Sequence, residues 1–215
     1  MFKKKPFFIV FEGVEGCGKS YQCKKLYNNL KKNKADVILT REPGGTRSSE
    51  LIRNLILKDY FNKKIKEKFD KYTDTLLYLA ARNEHIKNKI KPALIKKKII
   101  ICDRFTDSTI AYQVHGKKVD QNFITNIHKK ILDGIKPNLV FILKVSIDTA
   151  KKRLKKRKTK NRYDNFAQSF YTRAQKSFIK ISRNKKNYFV LDSSMNDNNL
   201  EKKIFKIVNR YINIK

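Results

Sequence analysis

Cysteine and histidine are rare in this sequence, and their arrangement argues against two classes of site. The cysteines are odd in number and lack metal-ligand spacing, so neither a disulfide framework nor a cysteine metal centre is expected. They are Cys17, Cys23 and Cys102. The histidines are isolated from one another, so we expect them at the surface or behind a site, not as ligands or general bases. They are His85, His115 and His128.

Long apolar runs, linkers and repeats are also missing. No apolar run approaches the roughly 20 residues that a membrane-spanning helix needs, so no membrane partner is expected. Proline is scarce (four residues) and no Pro/Ser-rich linker divides the chain, which predicts one domain over residues 1–215. The basic N-terminus leads through five apolar residues into a glycine-rich loop. It therefore does not resemble a signal peptide, and we expect a cytoplasmic protein.

Acidic residues are few relative to basic ones. The chain has 19 Asp and Glu against 52 Lys and Arg, giving a net charge of +33. So large a positive charge attracts anionic ligands and favours weak, salt-sensitive adhesion to nucleic acids. The lysines are spread over nearly every segment and accompany many Asn, Ile, Phe and Tyr residues, as a coding bias towards A and T would produce. The charge therefore predicts no specific nucleic-acid site.

One glycine-rich segment matches the pattern G-x-x-x-x-G-K-[ST] in full. An apolar, strand-like stretch precedes it and a helix-favouring stretch follows, which aims backbone N–H groups and a helix N-terminus at a phosphate. In this pattern the lysine reaches the outer phosphates and the Ser hydroxyl ligates Mg²⁺. The segment predicts binding of a nucleoside triphosphate by Gly13, Val14, Glu15, Gly16, Cys17, Gly18, Lys19 and Ser20.

Strand-like and helix-like segments alternate along the chain, which predicts an α/β fold with a parallel sheet and helices on both faces. The predicted strands are Phe7–Phe11, Asp36–Thr40, Lys98–Cys102, Leu139–Val145 and Tyr188–Leu191. The predicted helices are Lys19–Lys32, Ser48–Leu57, Asp74–Ile95, Asp120–Leu132, Ile147–Lys156, Phe166–Arg183 and Leu200–Ile212. Ligands of such sheets bind at the carboxyl ends of the strands.

A second group of polar residues follows the second and third predicted strands, in the segments Arg41–Thr46 and Asp103–Gln113. Between them, Tyr78 and Arg82 are four residues apart on a predicted helix and share one face. A base could stack on the tyrosine ring while its edge accepts a hydrogen bond from the guanidinium. Taken alone, the pair also fits a buried tyrosine beside an arginine that extends to solvent.

Together these motifs closely resemble the thymidylate kinase family over nearly the whole chain. The segments R-E-P-G-G-T and D-R…S…A-Y-Q are more specific than the phosphate loop, which many NTPases share. The resemblance implies a phosphate-loop kinase fold with strand order 2-3-1-4-5. It also implies transfer of the γ-phosphate of ATP to dTMP with Mg²⁺ to give dTDP, in a homodimer.

The resemblance implies roles for individual residues. Glu15 would accept from the substrate 3′-hydroxyl, Tyr78 would stack on the base, and Tyr112 would exclude a ribose 2′-hydroxyl. Asp103 would help Ser20 hold Mg²⁺. The substrate-binding positions implied are Glu15, Arg41, Arg53, Tyr78, Arg82, Arg104, Ser108, Tyr112 and Gln113.

The basic segment Lys151–Arg162 matches the mobile lid of the family, which would extend over about residues 151–164. One branch of the family carries an arginine in the phosphate loop where this chain has Gly16. The missing charge would come from the lid, first from Arg157, with Arg153 and Arg162 in support. The segment also fits a solvated basic helix end or a nucleic-acid contact.

Two other functions remain open at this level. One is a kinase for another nucleoside monophosphate or deoxynucleoside. The other is a basic phosphate-loop ATPase that binds nucleic acid. Turnover across a panel of monophosphates, and hydrolysis of ATP stimulated by DNA, would separate them from dTMP phosphorylation.

Overall fold

The computed structural model describes residues 5–58, 68–157, 167–195 and 197–212. Its centre is a five-stranded sheet in the order β2-β3-β1-β4-β5, with every pair parallel. The strands are β1 (Phe7–Glu12), β2 (Val37–Arg41), β3 (Ile99–Asp103), β4 (Leu139–Lys144) and β5 (Tyr188–Asp192). The predicted fold class and strand order are confirmed, and the predicted strand boundaries agree to within one residue.

Strands β1 and β4, in the interior of the sheet, are apolar along almost their whole length because both of their faces are covered. Ile9, Phe11 and Phe141 have no solvent exposure. The register aligns the carboxyl ends of three strands, because Phe11 and Arg41 both pair with Asp103. Residues at the ends of β1, β2 and β3 therefore meet at one edge of the sheet.

Helices pack around this sheet, with α1 against β1, β2 and β3 and α8 against β4 and β5. Side chains at the N-caps fix the starts of several helices, as Asp120 does by accepting from the backbone N–H of Phe123 at 2.7 Å. The helices are α1 (Lys19–Lys32), α2 (Arg47–Leu57), α3 (Lys71–His85), α4 (Lys91–Ile95), α5 (Thr106–Thr109), α6 (Gln121–Leu132), α7 (Ile147–Lys155), α8 (Gln168–Ser182) and α9 (Asn198–Ile212).

The predicted helix Asp74–Ile95 differs most from the structure. It begins earlier, at Lys71, because Asp70 caps it by accepting from the N–H of Tyr72. It also contains a π-helical segment, Ile86–Ile90, between α3 and α4. A second π-helical segment, Ile110–Val114, follows α5. Such segments often occur at functional sites, and this one carries Tyr112 and Gln113 into the cavity described below.

In the described part of the chain, no helix is both long and apolar enough to cross a membrane. The cysteines are free and buried, which confirms the prediction that they form no disulfide. The single domain over residues 1–215 and the cytoplasmic location stay predictions.

Candidate active site

A cavity of about 550 Å³ lies at the carboxyl ends of the strands. It brings the glycine-rich loop and the Tyr78–Arg82 pair to one place, although these segments are about sixty residues apart in sequence. Most of the predicted site residues line it: Glu15, Gly16, Gly18, Lys19, Ser20, Arg41, Arg53, Tyr78, Arg82, Asp103, Arg104, Ser108, Tyr112, Gln113, Arg153 and Arg157. Three predicted loop residues lie behind its wall: Gly13, Val14 and Cys17.

The backbone of the glycine-rich loop has a positive φ at three glycines, Gly13, Gly16 and Gly18 (93°), and at the first two a side chain would also clash. Gly13 has φ 139° and Gly16 has φ 74°, a region that L side chains rarely adopt. A Cβ at Gly13 would lie 2.5 Å from the carbonyl oxygen of Leu143, and one at Gly16 would lie 2.5 Å from that of Ala150. The arginine that one family branch places at Gly16 therefore has no room here.

Lys19 lies under this loop with only 6% of its surface exposed. Its Nζ donates to the carbonyl oxygens of Gly13 (3.0 Å) and Val14 (2.8 Å) and lies 3.5 Å from Cys17 Sγ. Helix α1 begins directly after Gly18, which has no side chain with which to cap it. A buried ammonium and a helix N-terminus thus face one side of the cavity, the arrangement that binds phosphate groups.

The Ser20 hydroxyl donates a hydrogen bond to the Oδ2 atom of Asp103. This contact joins the first turn of α1 to the end of β3 and places two hard oxygen donors beside the phosphate loop. Mg²⁺ uses one or two protein oxygens together with substrate phosphates and waters, so these residues fit that ion. Among the described residues, no group of three or more His, Cys, Asp or Glu side chains could hold a metal. A metal here would therefore depend on the nucleotide for its remaining ligands.

On the other side of the cavity, Arg82 is 3% exposed while Tyr78 is half-buried. The interpretation in which the arginine extends to solvent is therefore wrong. Its guanidinium is held by four acceptors from three parts of the fold. They are Glu42 Oε2 (2.7 Å), Thr109 Oγ1 (2.7 Å), His128 Nε2 (2.7 Å) and the carbonyl oxygen of Phe105 (2.9 Å).

The carboxylate of Glu42 links this arginine to a buried histidine. Glu42 Oε1 is 3.0 Å from Nδ1 of His85, whose Nε2 is 2.7 Å from the hydroxyl of Thr40. Burial alone would raise the pKa of Glu42, but the charge of Arg82 and the bond from His85 outweigh it and lower the pKa. Glu42 is therefore ionised, and a buried ion pair lies behind the acceptor side.

Arg104 connects the phosphate loop to the acceptor side. It has φ 74°, and its guanidinium donates to the carbonyl oxygen of Gly13 (2.9 Å), Ser108 Oγ (3.0 Å) and Glu15 Oε1 (2.7 Å). The Tyr112 hydroxyl donates to the other oxygen of Glu15 at 2.5 Å, and the guanidinium lies over the Tyr112 ring, 5.1 Å from its centroid. Glu15, Arg104 and Tyr112 thus form one connected group at the cavity wall.

Glu12, fully buried at the end of β1, acts as a cap for the segment that carries Ser108. It accepts from the backbone N–H groups of Phe105 (2.8 Å) and Ser108 (3.2 Å) and from the Ser108 hydroxyl (2.6 Å). Burial, with the charge of Asp107 adding to it, raises the pKa of Glu12 to about 8. An acidic residue that ends an apolar strand is the sequence signal for this role.

The remaining predicted acceptor-side residues differ in how they are held. Gln113 is 2% exposed, and its Nε2 has no hydrogen-bond partner within the described ranges. Arg53 donates to the carbonyl oxygen of Pro43 at 2.5 Å. Arg41 is exposed and pairs with Glu50 at 3.1 Å. A buried amide donor and two guanidinium groups are therefore available along this wall.

The predicted lid lies only partly within the described residues. Arg153, on α7, donates to the carbonyl oxygens of Gly16 (3.3 Å), Ser193 (3.1 Å) and Ser194 (2.5 Å), so it links the loop to the end of β5. Arg157 lines the cavity two residues beyond the end of α7. Arg162 and the rest of the predicted lid lie outside the described residues.

Comparison with known proteins assigns a family. The family model described as thymidylate kinase matches residues 11–204. A thymidylate kinase from Sulfurihydrogenibium sp. (strain YO3AOP1) is 37% identical over 190 residues, which cover 88% of this chain and 90% of that protein. One from Wolbachia sp. subsp. Brugia malayi (strain TRS) is 41% identical over 180 residues, 82% of each chain.

A solved structure gives the same result. The crystal structure of thymidylate kinase from Ehrlichia chaffeensis at 2.15 Å resolution matches with a TM-score of 0.75 and 32% sequence identity. The match covers 95% of this chain and 99% of that one. The likeness therefore extends over the sheet, the glycine-rich loop and the acceptor side together.

Proposed function

This chain belongs to the thymidylate kinase family, and we propose that it transfers the γ-phosphoryl group of ATP to dTMP, giving ADP and dTDP. One observation carries the proposal beyond the family assignment. A single cavity is lined by Lys19 of the phosphate loop and by the Tyr78–Arg82 pair. Phosphoryl transfer requires two phosphates held in line in a site that excludes water, and a shared cavity supports that requirement.

The phosphate loop is the donor side. Lys19, whose Nζ contacts two backbone carbonyl oxygens and a sulfur atom, would exchange some of these contacts for the outer phosphates of ATP. Ser20 and Asp103 would hold Mg²⁺, which supplies positive charge to the phosphate oxygens during transfer. The Ser20–Asp103 hydrogen bond supports this pairing, because it keeps both oxygens at the mouth of the loop.

Tyr78 and Arg82 form the acceptor side and would select thymine. Arginine has five N–H donors, and four of those in Arg82 have partners among the described residues. The fifth, on Nη2, would donate to the O4 atom of the base, as the resemblance to the family implies for this position. A cytosine would present an amino donor to that N–H, which costs about 1–3 kcal/mol. The buried amide of Gln113 would provide a second donor to the base.

Glu15 and Tyr112 would select the sugar. Each carboxylate oxygen accepts two hydrogen bonds, so Glu15 can bind a 3′-hydroxyl while it keeps Arg104 and Tyr112. The Tyr112 ring is 4% exposed and is held between Arg104 and the ring of Phe170, 5.7 Å away. A ring fixed in this way would exclude a 2′-hydroxyl by its bulk. Arg53, Arg104 and Arg41 would bind the acceptor phosphate.

We also propose that the chain forms homodimers. Leu51, Leu55 and Leu76 are 67%, 43% and 48% exposed on α2 and α3, two helices that pack against each other. Leu51 and Leu55 lie one turn apart on α2, so they extend a common apolar surface. Analytical ultracentrifugation tests this directly, and a mass near that of the 25.4 kDa chain would contradict it.

The test of the proposed function is ADP release from ATP and Mg²⁺ with dTMP, dCMP, dUMP, dAMP, dGMP and UMP as acceptors. We expect kcat/KM for dTMP to exceed that for dCMP by about tenfold or more, the equivalent of one mismatched buried hydrogen bond. A second series without acceptor, with and without DNA, measures hydrolysis. Equal turnover of all acceptors would contradict the specificity. Stimulation by DNA without any acceptor activity would favour the ATPase.

A further inference from the structure

The orientation of the Arg82 guanidinium is almost completely fixed by its hydrogen bonds. Its Nε donates to Glu42, both N–H groups of Nη1 are used by Thr109 and His128, and one of Nη2 by Phe105. The direction of the fifth N–H, which has no partner within the described ranges, is therefore determined by the other four. Loss of one acceptor removes one of the four contacts that fix the plane of the guanidinium, and because its donors lie in one rigid fork, a shift at one nitrogen changes the direction of the others.

Of the four acceptors, His128 is the farthest from Arg82 in sequence, at 46 residues. It lies on α6, a helix that contacts the acceptor side through α3, and it is 8% exposed. Arginine can only donate, so Nε2 of His128 must carry no proton and its Nδ1 must carry one. Burial and the charge of Arg82 lower the pKa of His128 to about 3, which keeps the ring neutral and able to accept.

We propose that His128 is a positioning residue for base recognition, holding Nη1 of Arg82 so that the free N–H on Nη2 points to the thymine edge. The inference rests on the proposed function, since it assigns a role within that same acceptor side. His128 itself is not among the residues that line the cavity. It acts only through Arg82, and Glu42, Thr109 and the Phe105 carbonyl hold the other donors of the same group.

Three variants of His128, which differ in the length and polarity of the new side chain, test this positioning role. His128→Gln places an amide oxygen near the position of Nε2, His128→Asn is polar but too short, and His128→Leu fills space without an acceptor. We expect the Asn and Leu variants to raise KM for dTMP about tenfold with kcat changed less than threefold. The ratio of kcat/KM for dTMP to that for dCMP should fall by a similar factor. His128→Gln should stay within threefold of wild type.

This ratio does not depend on the fraction of correctly folded enzyme, so a purely structural role would leave it unchanged. KM for ATP should remain at the wild-type value in every variant, and His115→Leu, at a histidine outside the cavity lining, serves as the control. An unchanged ratio in His128→Asn, or a Gln variant as impaired as the Asn variant, would overturn the inference. If the wild-type enzyme does not phosphorylate dTMP at all, the proposed function fails instead, before any variant is compared.

Discussion

The donor and acceptor sides of the cavity are built in different ways. The donor side consists of eight consecutive residues, Gly13–Ser20, and its contacts are made mainly by the backbone and by one lysine. The acceptor side is built from side chains on α3, on α6 and on the segments that follow β2 and β3. The first needs only a local conformation, whereas the second needs the whole fold to be correct.

This difference in construction corresponds to two kinds of selectivity, one for phosphate groups and one for a particular base. Backbone N–H groups at a helix N-terminus recognise phosphate, which every nucleotide carries, so the donor side is general. In the proposed function the acceptor side recognises one base edge, and its donors are oriented by a buried network that includes a Glu42–Arg82 ion pair at 2.7 Å. Breaking such a pair by removing one partner typically costs about 3–5 kcal/mol. Under the proposed function, specificity therefore depends in part on buried groups that do not line the cavity, such as His85 and His128.

The largest effect is expected from Lys19→Met on the donor side. Loss of this charge should lower kcat by about 10²–10³-fold, the range for removal of one group that stabilises transition-state charge. Because the acceptor side is separate, the ratio of kcat/KM for dTMP to that for dCMP should not change. ADP release with both acceptors measures this.

Lys24→Met is the matched control for that variant, since Lys24 is an exposed lysine on the same helix. We expect it to behave as wild type. A Lys19→Met enzyme that lost its preference for dTMP would show that the two sides are not independent.

A smaller effect is expected from Arg157→Ala, which tests whether the segment after α7 adds a third part to the site. Arg157 lines the cavity, and no arginine fits at Gly16 in the phosphate loop. If Arg157 acts mainly in the transition state, kcat should fall about 10²-fold while KM for dTMP stays nearly constant.

Lys155→Ala controls for the loss of a basic side chain at the same end of α7, because Lys155 is exposed and lies outside the cavity lining. Steady-state rates at saturating ATP measure both variants. A rate close to wild type for Arg157→Ala would indicate that another lid residue supplies the charge.

The comparison of the two sides also explains what could be predicted from sequence. The phosphate loop is a local motif between a strand and a helix, so its position, its glycines and its lysine could all be predicted. The strand order came from resemblance to a family. The apolar runs alone predict buried parallel strands but do not order them, because β1 and β4 have nearly the same pattern.

The buried groups behind the acceptor side could not be predicted in the same way. His128 is 46 residues from Arg82, and His85 is 43 from Glu42, so no spacing rule joins them. The prediction placed the histidines at the surface or behind a site, and the structure places His85 and His128 behind it. The π-helical segment Ile110–Val114 also has no sequence signal of its own, since the extra residue per turn is fixed by packing against α8.

The smallest expected effect tests this buried network through its dependence on pH. His128 has a pKa of about 3 in the folded protein and about 6.5 when unfolded. Between these values the unfolded chain binds the additional proton, so His128 causes stability to fall as the pH is lowered from 6.5. A difference of one bound proton changes the free energy of unfolding by about 1.4 kcal/mol per pH unit. The lowered pKa of Glu42 makes its own contribution below 4.5, so the window for the test is pH 5 to 6.5. In this window Glu12, whose pKa is raised to about 8, changes stability in the opposite direction, so the contribution of His128 is measured as the difference between wild type and a His128 variant. Urea unfolding in this window should therefore show the free energy of unfolding of wild type decreasing relative to that of His128→Gln as the pH is lowered, because the variant has no titrating group at this position. His115→Gln should show a smaller effect than His128→Gln, because the pKa of His115 is also lowered but its ring is only partly buried. Parallel stability curves for wild type and His128→Gln would mean that His128 is not held neutral against Arg82. The acceptor side would then lack the neutral buried acceptor that distinguishes it from the donor side.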